Sequence, residues 1–274
     1  MDMGDLVVAA EISAASFGFD ISAAPARRRW LARVGHVLAS DPGGAFAAEL
    51  DGQVVGVAQA MLREGLWCLS LLSVLPEAQG SGAGRELLAR ALAYGSPAAP
   101  GLIVSSNDPR ALRLYGLSGF ALRPTLEAEG SLRRERLPRP DPRVRDADAS
   151  DLDALAEISR AVRGAAHTPE LEFALRQGGK LLRLGDAGFA VAMPGHAVWL
   201  LTARDEDAAR ALLWQALELA GDSERPLLRW ITGEQEWAVD VVLQAGLGLR
   251  GYGALAVRGA TGPLHPYIPS GPFA

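Results

Sequence analysis

The chain has 274 residues, of which 49% are hydrophobic and 22% are charged, and its formal net charge is −5 at pH 7. This length suits two domains better than one, and the apolar content excludes a charge-rich disordered protein. A net negative charge argues against a general nucleic-acid binder, which would need a basic face. The charge is compatible with a cationic amine substrate, although ordinary solubility is the simpler explanation.

The N-terminal residues 1–11 lack the basic and apolar regions of a secretion signal, and no run of about 18 uninterrupted apolar residues occurs. We therefore expect a soluble cytoplasmic protein that contacts no membrane. The single cysteine, Cys68, excludes an internal disulfide, and its apolar surroundings favour a buried thiol over a nucleophile. The four histidines have no metal-ligand spacing, so no metal is expected.

Two amphipathic helices are predicted at the start of the chain, over residues 5–17 and 25–39. The second carries four arginines, which are interpreted as a solvated face, with contact to the phosphates of a cofactor as the alternative: Arg27, Arg28, Arg29 and Arg33. Next, residues 45–50 and 54–63 flank Asp-Gly, which is typical of a tight hairpin turn. A further turn leads into residues 66–74, which gives three antiparallel strands.

The most informative stretch is residues 71–88, where a strand breaks at a proline, crosses a glycine-rich loop and becomes a helix. Gly80, Gly82 and Gly84 have no Cβ, so their main-chain N–H groups can approach a bulky anion. The first N–H groups of the following helix have no partner inside it, and the helix dipole favours negative charge there. The sequence therefore predicts a site for the pyrophosphate of a nucleotide cofactor.

The spacing of the glycines decides which cofactor is expected. A dinucleotide fingerprint needs a glycine where Arg85 stands, and a Walker loop needs a lysine, but the chain's one lysine is Lys180. The pattern V-x-P-x-x-Q-G-x-G-x-G over residues 74–84 instead resembles the acetyl-CoA loop of the GNAT superfamily of N-acetyltransferases.

A second motif follows at residues 107–120. Asn107 and Asp108 are good N-cap types, and a proline suits the first turn of the next helix. The stretch resembles the GNAT segment N-x-x-x-A-x-x-x-Y-x-x-x-G-F, which is matched here at Asn107, Ala111, Tyr115, Gly119 and Phe120. The resemblance covers residues 5–132.

This resemblance implies an acetyl-CoA site. The pantetheine arm is expected to pair with the main chain at the end of the third strand, where an N–H group would also polarise the thioester carbonyl. The expected cofactor-binding residues are Leu72, Ser73, Val74, Gln79, Gly80, Ser81, Gly82, Ala83, Gly84, Arg85, Asn107 and Tyr115.

The resemblance also implies that Tyr115 is the general acid that protonates the departing thiolate, unless its hydroxyl is simply packed on the backbone. Asn107 would bind the cofactor or cap its helix. No base stands out, because residues 66–74 contain no acid; Glu64 and Glu49 are weak candidates that are more simply surface carboxylates, and the amine would then bind in its neutral form.

The implied function is an N-acetyltransferase that moves an acetyl group from acetyl-CoA directly to a primary amine of a small molecule or peptide. The alternative is a non-catalytic acyl-CoA-binding sensor. No nucleic-acid or membrane partner is expected, and the protein is expected to be a monomer or homodimer.

The chain also repeats itself. Residues 5–18 and 151–164 agree at eight of fourteen places, D, L, A, E, I, S, A and G. We expect an α/β fold of two tandem GNAT-like domains, each a mostly antiparallel mixed sheet flanked by helices. The predicted division is a catalytic domain at 1–135, a proline- and arginine-rich linker at 136–142, and a degenerate copy at 143–274.

The second copy has lost the chemistry of the first. Its counterpart of the glycine loop contains no glycine, and three carboxylates lie where pyrophosphate would bind: Asp205, Glu206 and Asp207. Glu234 and Val242 replace the asparagine and tyrosine of the second motif. The prolines of the last ten residues make a ladder strand there unexpected.

Overall fold

The computed structural model describes residues 1–193, 196–220 and 226–274. Its contacts divide the chain into two units, one of residues 1–103 with 272–274 and one of residues 104–271. The predicted linker at 136–142 lies inside the second unit. The predicted division into domains follows the two sequence copies, not these two units, and it stays a prediction.

The first unit begins with two helices and continues with antiparallel strands and a crossover helix. Its sheet has the order β1-β2-β3-β4, in which β4 is parallel to β3. The elements are α1 (Leu6–Phe17), α2 (Ala24–Ser40), β1 (Ala45–Leu50), β2 (Gln53–Arg63), β3 (Leu66–Val74), α3 (Ala83–Tyr94) and β4 (Gly101–Ser105), whose last two residues belong to the second unit.

The β1–β2 turn follows the prediction. Asp51 and Gly52 both have positive φ, 51° and 78°, as a primed hairpin turn requires. The three antiparallel strands predicted from the alternating pattern are present with the predicted neighbours.

Apolar side chains from α1 and α2 pack on the sheet of the first unit. The cluster joins Ala9 and Ile12 of α1 and Val34 of α2 to Val57 of β2 and Leu71 of β3. The thiol of Cys68 is buried, as the sequence predicted. Burial of this cluster removes apolar surface from water, which fixes both helices against the strand that leads to the glycine loop.

β3 contains one irregularity, which lies just before the glycine loop. The register of β3 on β2 shifts between Leu71 and Leu69, so Ser70 is an extra, bulged residue. The pairing of β3 with β4 covers Trp67 to Leu69 only. Within the described residues, β3 from Ser70 to Val74 therefore has a strand neighbour on its β2 side alone. That edge is open to a main-chain partner just before the loop.

The second unit contains two groups of strands, with the orders β11-β5-β10 and β12-β9-β8-β7-β6. Its main core packs helices α7 and α8 against both groups. The elements are α4 (Pro109–Leu117), β5 (Ala121–Glu129), β6 (Val144–Ala147), α5 (Leu152–Arg163), α6 (Thr168–Arg176), β7 (Lys180–Leu184), β8 (Gly188–Met193), β9 (His196–Ala203), α7 (Glu206–Glu218), β10 (Leu227–Thr232), α8 (Glu236–Gln244), β11 (Gly248–Arg258) and β12 (Tyr267–Ile268).

The sequence repeat is reproduced in local structure. Asp2 and Asp148 each form a capping box, with Asp5 and Asp151 respectively, at a short 3-10 turn. Twelve-residue helices follow, and each ends at a left-handed glycine, with φ of 68° at residue 18 and 97° at residue 164. The same residue types therefore start and stop both helices by the same hydrogen bonds.

The expectation that no ladder strand forms near the C-terminus is wrong. Tyr267 and Ile268 pair with Thr202 and Leu201 of β9. Two residues suffice for the pairing because Pro266 and its fellow prolines flank the pair without entering it, so no ladder N–H is missing. Among the described residues, no helix is long and apolar enough to cross a membrane.

A buried ion pair fixes the end of α2. The carboxylate of Asp41 accepts two hydrogen bonds from Arg63 Nη1, at 2.8 and 3.1 Å, and others from Leu62 N, Ser40 Oγ and Tyr94 Oη. Both charged side chains are nearly inaccessible to water.

We expect Asp41→Ala to destabilise the protein by about 3–5 kcal/mol, because it leaves the Arg63 guanidinium buried without its counter-charge. Urea denaturation measures the change. The double variant Asp41→Ala/Arg63→Met should recover part of the loss, and a single variant within about 1 kcal/mol of wild type would contradict this role for the pair.

Candidate active site

The glycine loop connects the open end of β3 to the N-terminus of α3. Pro76–Ala78 form one 3-10 turn, after which Gly80 and Gly82 adopt φ of 89° and 97°. Gly82 is the N-cap residue of α3 in the left-handed conformation. L-residues adopt this conformation at a cost, so glycine is required at both positions for the chain to enter the helix in this way.

The main-chain amides of the loop are available to a ligand. Among the described residues, no acceptor bonds the N–H groups of Gly80, Gly82 and Gly84, whereas the Glu86 N–H already begins the helical ladder on Gly82 O at 3.1 Å. No heavy atom lies within 4 Å of the place where a Cβ of Gly80 would stand. Amides without an acceptor at a helix N-terminus fit a phosphate.

Other residues of the loop hold it in place or add charge. Gln79 Nε2 donates to Val74 O at 3.1 Å and so ties the loop to the end of β3. Ser81 Oγ accepts from Ala83 N at 3.3 Å. The exposed Arg85 folds back toward the loop, with Nη2 3.7 Å from the position of a Gly82 Cβ. A guanidinium there is well placed to neutralise a phosphate.

The last residues of β3 add polar atoms to the loop. The hydroxyls of Ser70 and Ser73 are buried and have no hydrogen-bond partner among the described residues. Leu72, Ser73 and Val74 pair with β2 on one side and face no strand on the other, as far as the described residues extend. The pantetheine arm is predicted at this edge, and its binding there stays a prediction.

Neither acidic residue considered as a base lies on this edge. Glu64 is exposed in the β2–β3 turn, about 20 Å along the strand from Leu71. Glu49 is exposed on β1, where it lines a cleft of about 600 Å³ with Arg85 and Arg90. Both positions fit the interpretation as surface carboxylates.

The second motif lies in the second unit. Asp108, not Asn107, caps α4, since its carboxylate accepts from Arg110 N at 2.8 Å. The expectation that Asn107 could cap the helix is therefore wrong. Its Oδ1 instead accepts a hydrogen bond from Gly253 N, which leaves a cofactor contact by its amide nitrogen as a prediction.

Tyr115 is 5% exposed and lies on the buried side of α4. Burial raises the pKa of its phenol well above the usual value near 10, and the negative charge of Asp108 raises it further. The hydroxyl makes no hydrogen bond to the described residues, so the interpretation of a tyrosine bonded to the backbone finds no support there. The phenol keeps its proton throughout the physiological range.

Sequence reasoning missed the surroundings of Asn107. A Cβ on Gly253 would stand 1.9 Å from Ser105 O, so the close approach of β11 requires glycine there. Trp230 donates from Nε1 to Ser105 O at 3.1 Å and meets Tyr252 edge to face. These residues are more than 100 positions from the motif, and no local pattern could have linked them to it.

The second copy differs where it was expected to. Asp205 caps α7 by accepting from Ala208 N at 2.8 Å, so its own carboxylate uses the helix N-terminus that a phosphate would need. Glu206 lies 3.3 Å from His265 Nε2. Glu234 pairs with Arg123, and Val242 is buried. Among the described residues, no group of three or more His, Cys, Asp or Glu side chains could hold a metal ion.

Comparison with protein families gives one match. Residues 9–120 fit the sequence model of the acetyltransferase (GNAT) family. This range contains both the glycine loop and the motif from Asn107 to Phe120. No curated protein matches the chain at a significant level.

Solved structures resemble the whole chain. A Pyrococcus horikoshii protein assigned to the acetyltransferases is 17% identical, with 98% of this chain and 92% of that chain covered and a TM-score of 0.82. A GCN5-related N-acetyltransferase from Kribbella flavida is 20% identical, covers 93% and 69%, and has a TM-score of 0.59. A tandem GNAT protein from the clavulanic acid biosynthesis pathway is 13% identical, covers 94% and 95%, and has a TM-score of 0.58. At these identities the likeness shows the fold, which is the tandem GNAT fold.

We expect Gly82→Ala to destabilise the protein by about 1–2 kcal/mol, because an L-residue is strained at φ 97°. Gly84→Ala is the matched control: it lies inside α3, and its Cβ would meet Val74 Cγ2 at an ordinary 3.6 Å. Alanine there should be neutral or stabilise by about 0.5 kcal/mol. Urea denaturation distinguishes the two, and equal effects would contradict the loop conformation.

Proposed function

We propose that this chain, whose residues 9–120 match the sequence model of the GNAT acetyltransferase family and whose fold resembles that of a tandem GNAT protein, transfers an acetyl group from acetyl-CoA directly to a primary amine. The family supports acyl transfer from an acyl-CoA to an amine in general. The proposal adds the acetyl group, the primary amine and the residues that act. It also takes the protein to be cytoplasmic, a monomer or homodimer, and without a nucleic-acid or membrane partner.

The observation that carries the proposal is the set of free amides at Gly80, Gly82 and Gly84, placed at a helix N-terminus beside an arginine. They would hold the pyrophosphate of the cofactor. Gln79, Ser81 and Ala83 shape the loop, and the contribution of Arg85 is charge. The same amides offer little to a neutral ligand, so they favour a phosphorylated one.

The end of β3 would orient the acyl group. Leu72, Ser73 and Val74 present a main-chain edge that can pair with the amides of a pantetheine arm. An N–H group at the Ser70 bulge or next to it would polarise the carbonyl under attack. Acetyl-CoA supplies the acetyl group as a thioester.

Tyr115 Oη donates a proton to the departing sulfur in this proposal. Its buried phenol is protonated, and general acid catalysis of this kind contributes about 10²–10⁴ in rate. Asn107 is proposed to bind the cofactor with its amide nitrogen while Oδ1 stays on Gly253. The second copy, whose helix N-terminus is capped by Asp205, has no catalytic part.

No base is assigned, and the acceptor amine enters in its neutral form. Residues 66–74 contain no aspartate or glutamate, which also favours the second candidate function, a non-catalytic acyl-CoA sensor. The sensor would use the same loop but would leave Tyr115 without a task. Turnover therefore separates the two functions.

We expect acetyl-CoA at a hundredfold over its Kd to stabilise both wild type and Tyr115→Phe by about 2.7 kcal/mol. CoA release in the presence of amines should fall at least about a hundredfold in Tyr115→Phe and stay near wild type in the control Tyr94→Phe. Thermal unfolding and a thiol-release assay measure these effects. Tight binding without turnover across amines, amino acids and peptides would leave the sensor.

The pH profile tests the acid separately. The rate should rise with pH as the acceptor amine loses its proton. Because burial raises the pKa of Tyr115, the protonated form that donates persists above the usual value near 10, so no loss of rate is expected up to about pH 10. A decline that begins between pH 8 and 9 in wild type, and that is absent in Tyr115→Phe, would contradict the raised pKa.

A further inference from the structure

Arg33 departs from the solvated face predicted for the arginines of α2. Arg28 and Arg29 are exposed, and Arg27 pairs with Glu11 at 3.0 Å. Arg33 is only partly accessible, and its Nε and Nη2 atoms are buried without a hydrogen-bond partner among the described residues. Burial lowers the pKa of its guanidinium to about 10. The interpretation of this residue as solvated is therefore wrong.

A buried guanidinium without a counter-charge is costly. The same unit shows the usual solution at Arg63, whose guanidinium is bonded to Asp41. For Arg33, the contact that the structure gives is its position over the ring of Trp30, 4.3 Å from the centroid. This cation–π contact covers one face of the guanidinium, and the buried Nε/Nη2 edge has no hydrogen-bond partner among the described residues.

The Nε/Nη2 edge of an arginine binds carboxylates well, and two other arginines of this chain show that geometry. Arg143 holds the two carboxylate oxygens of Asp141 with Nε at 3.0 Å and Nη2 at 2.7 Å. Arg110 holds Asp108 by the same two atoms at 3.0 and 2.7 Å. The parallel N–H groups of this edge match the planar fork of a carboxylate.

The position of Arg33 connects it to the acyl site of the first unit. Its neighbour Val34 accepts a hydrogen bond from Gln59 Nε2 at 2.9 Å. Gln59 pairs with Leu71 in the β-ladder, and Leu71 directly precedes Leu72, where the pantetheine edge begins. The main chain next to Arg33 is thus bonded to β2, the strand that pairs with the β3 edge proposed to orient the acyl group.

Aromatic side chains continue from Arg33 over the α1–α2 connection. Phe19 meets Trp30 edge to face, with the ring centroids 5.2 Å apart. The rings of Phe17 and Phe19 are tilted against each other, with their centroids 5.8 Å apart. Phe17 and Phe19 are 40% and 45% exposed. They provide an apolar surface beside the cationic edge.

We propose that Arg33 binds the carboxylate of the acceptor, so that the acceptor is an amine that also bears a carboxylate, as an amino acid or a peptide C-terminus does. This inference rests on the proposed acetyl transfer, and it names the substrate class for that site. The aromatic residues next to Arg33 would favour acceptors with an apolar side chain.

The first experiment compares amino acids with their amides at about pH 10, where the α-amine of both is largely neutral and the carboxylate is the main difference between them. The proteinogenic amino acids and their amides are assayed for CoA release with wild type, Arg33→Met and the control Arg28→Met, an exposed arginine of the same helix. Wild type should prefer the acid over the amide about tenfold to a hundredfold in kcat/KM, which is the strength of a charge-assisted hydrogen bond. Arg33→Met should lose the preference, and Arg28→Met should keep it.

Three outcomes of this experiment would overturn the proposal: acetylation of amides or simple amines as good as that of the acids, an unchanged preference in Arg33→Met, or a loss of acetyl-CoA affinity in place of acceptor preference. The last outcome would mean that Arg33 serves a cofactor phosphate.

The second experiment does not depend on turnover. Urea denaturation is followed at constant ionic strength as sodium formate replaces sodium chloride. Formate should raise the unfolding midpoint of wild type and of Arg28→Met, but not that of Arg33→Met. In chloride, Arg33→Met should be at least as stable as wild type, because it removes an uncompensated buried charge.

A wild-type midpoint that ignores formate, or an Arg33→Met variant that is clearly destabilised in chloride, would overturn the carboxylate site even if acetyl transfer is observed. If formate acts as expected but no acceptor reacts, the acetyltransferase proposal fails while the anion site stands.

Discussion

The site proposed for the first unit depends on main-chain N–H groups that have no partner among the described residues where β3 passes into α3. Each helix leaves such groups at its N-terminus, but most are capped by a side chain or reach water. Here Gly80 and Gly82 take left-handed conformations that carry the chain into the helix without a capping side chain. Among the described residues, their N–H groups have no acceptor. The bulge at Ser70 and the bond from Gln79 to Val74 serve the same arrangement, since they fix the strand and loop around it.

The second copy shows what happens when one residue fills that position. Asp205 accepts a hydrogen bond from Ala208 N and caps α7. The cap stabilises the helix by about 1 kcal/mol, but it occupies one of the N–H groups at the helix N-terminus and adds a negative charge. Both copies keep the capping box and the left-handed glycine of their first long helix. Both copies thus keep the signals that start and stop this helix, whereas the second copy has a capping carboxylate at the helix N-terminus that corresponds to the phosphate site proposed for the first.

Sequence patterns predicted the features that depend on neighbouring residues. The Asp51-Gly52 turn, the glycine loop and the repeat are local, and each follows from backbone preferences of a few residues. The patterns failed where distant segments decide. Burial of Arg33 depends on tertiary packing that a helical wheel does not contain. The sequence motif predicts that Asn107 caps a helix or binds the cofactor, but in the structure its side-chain oxygen accepts a hydrogen bond from the main-chain N–H of Gly253. The prolines of the C-terminal residues argue against a strand, but Tyr267 and Ile268 lie between them and pair with the distant strand β9.

Buried charge is the feature that most clearly separates structure from function in this chain. Glu127 is fully buried, and Arg229 and Arg250 both bind its carboxylate. The buried guanidinium of Arg163 donates to the carbonyl oxygens of Ala165 and Ala166. These charged groups, like the Asp41–Arg63 pair at the end of α2, have hydrogen-bond partners within their own unit. Their role is therefore to stabilise the fold. In Arg33, the Nε and Nη2 atoms are buried without a hydrogen bond to the described residues. Burial of this charge costs free energy and does not stabilise the fold unless a ligand supplies the missing negative charge.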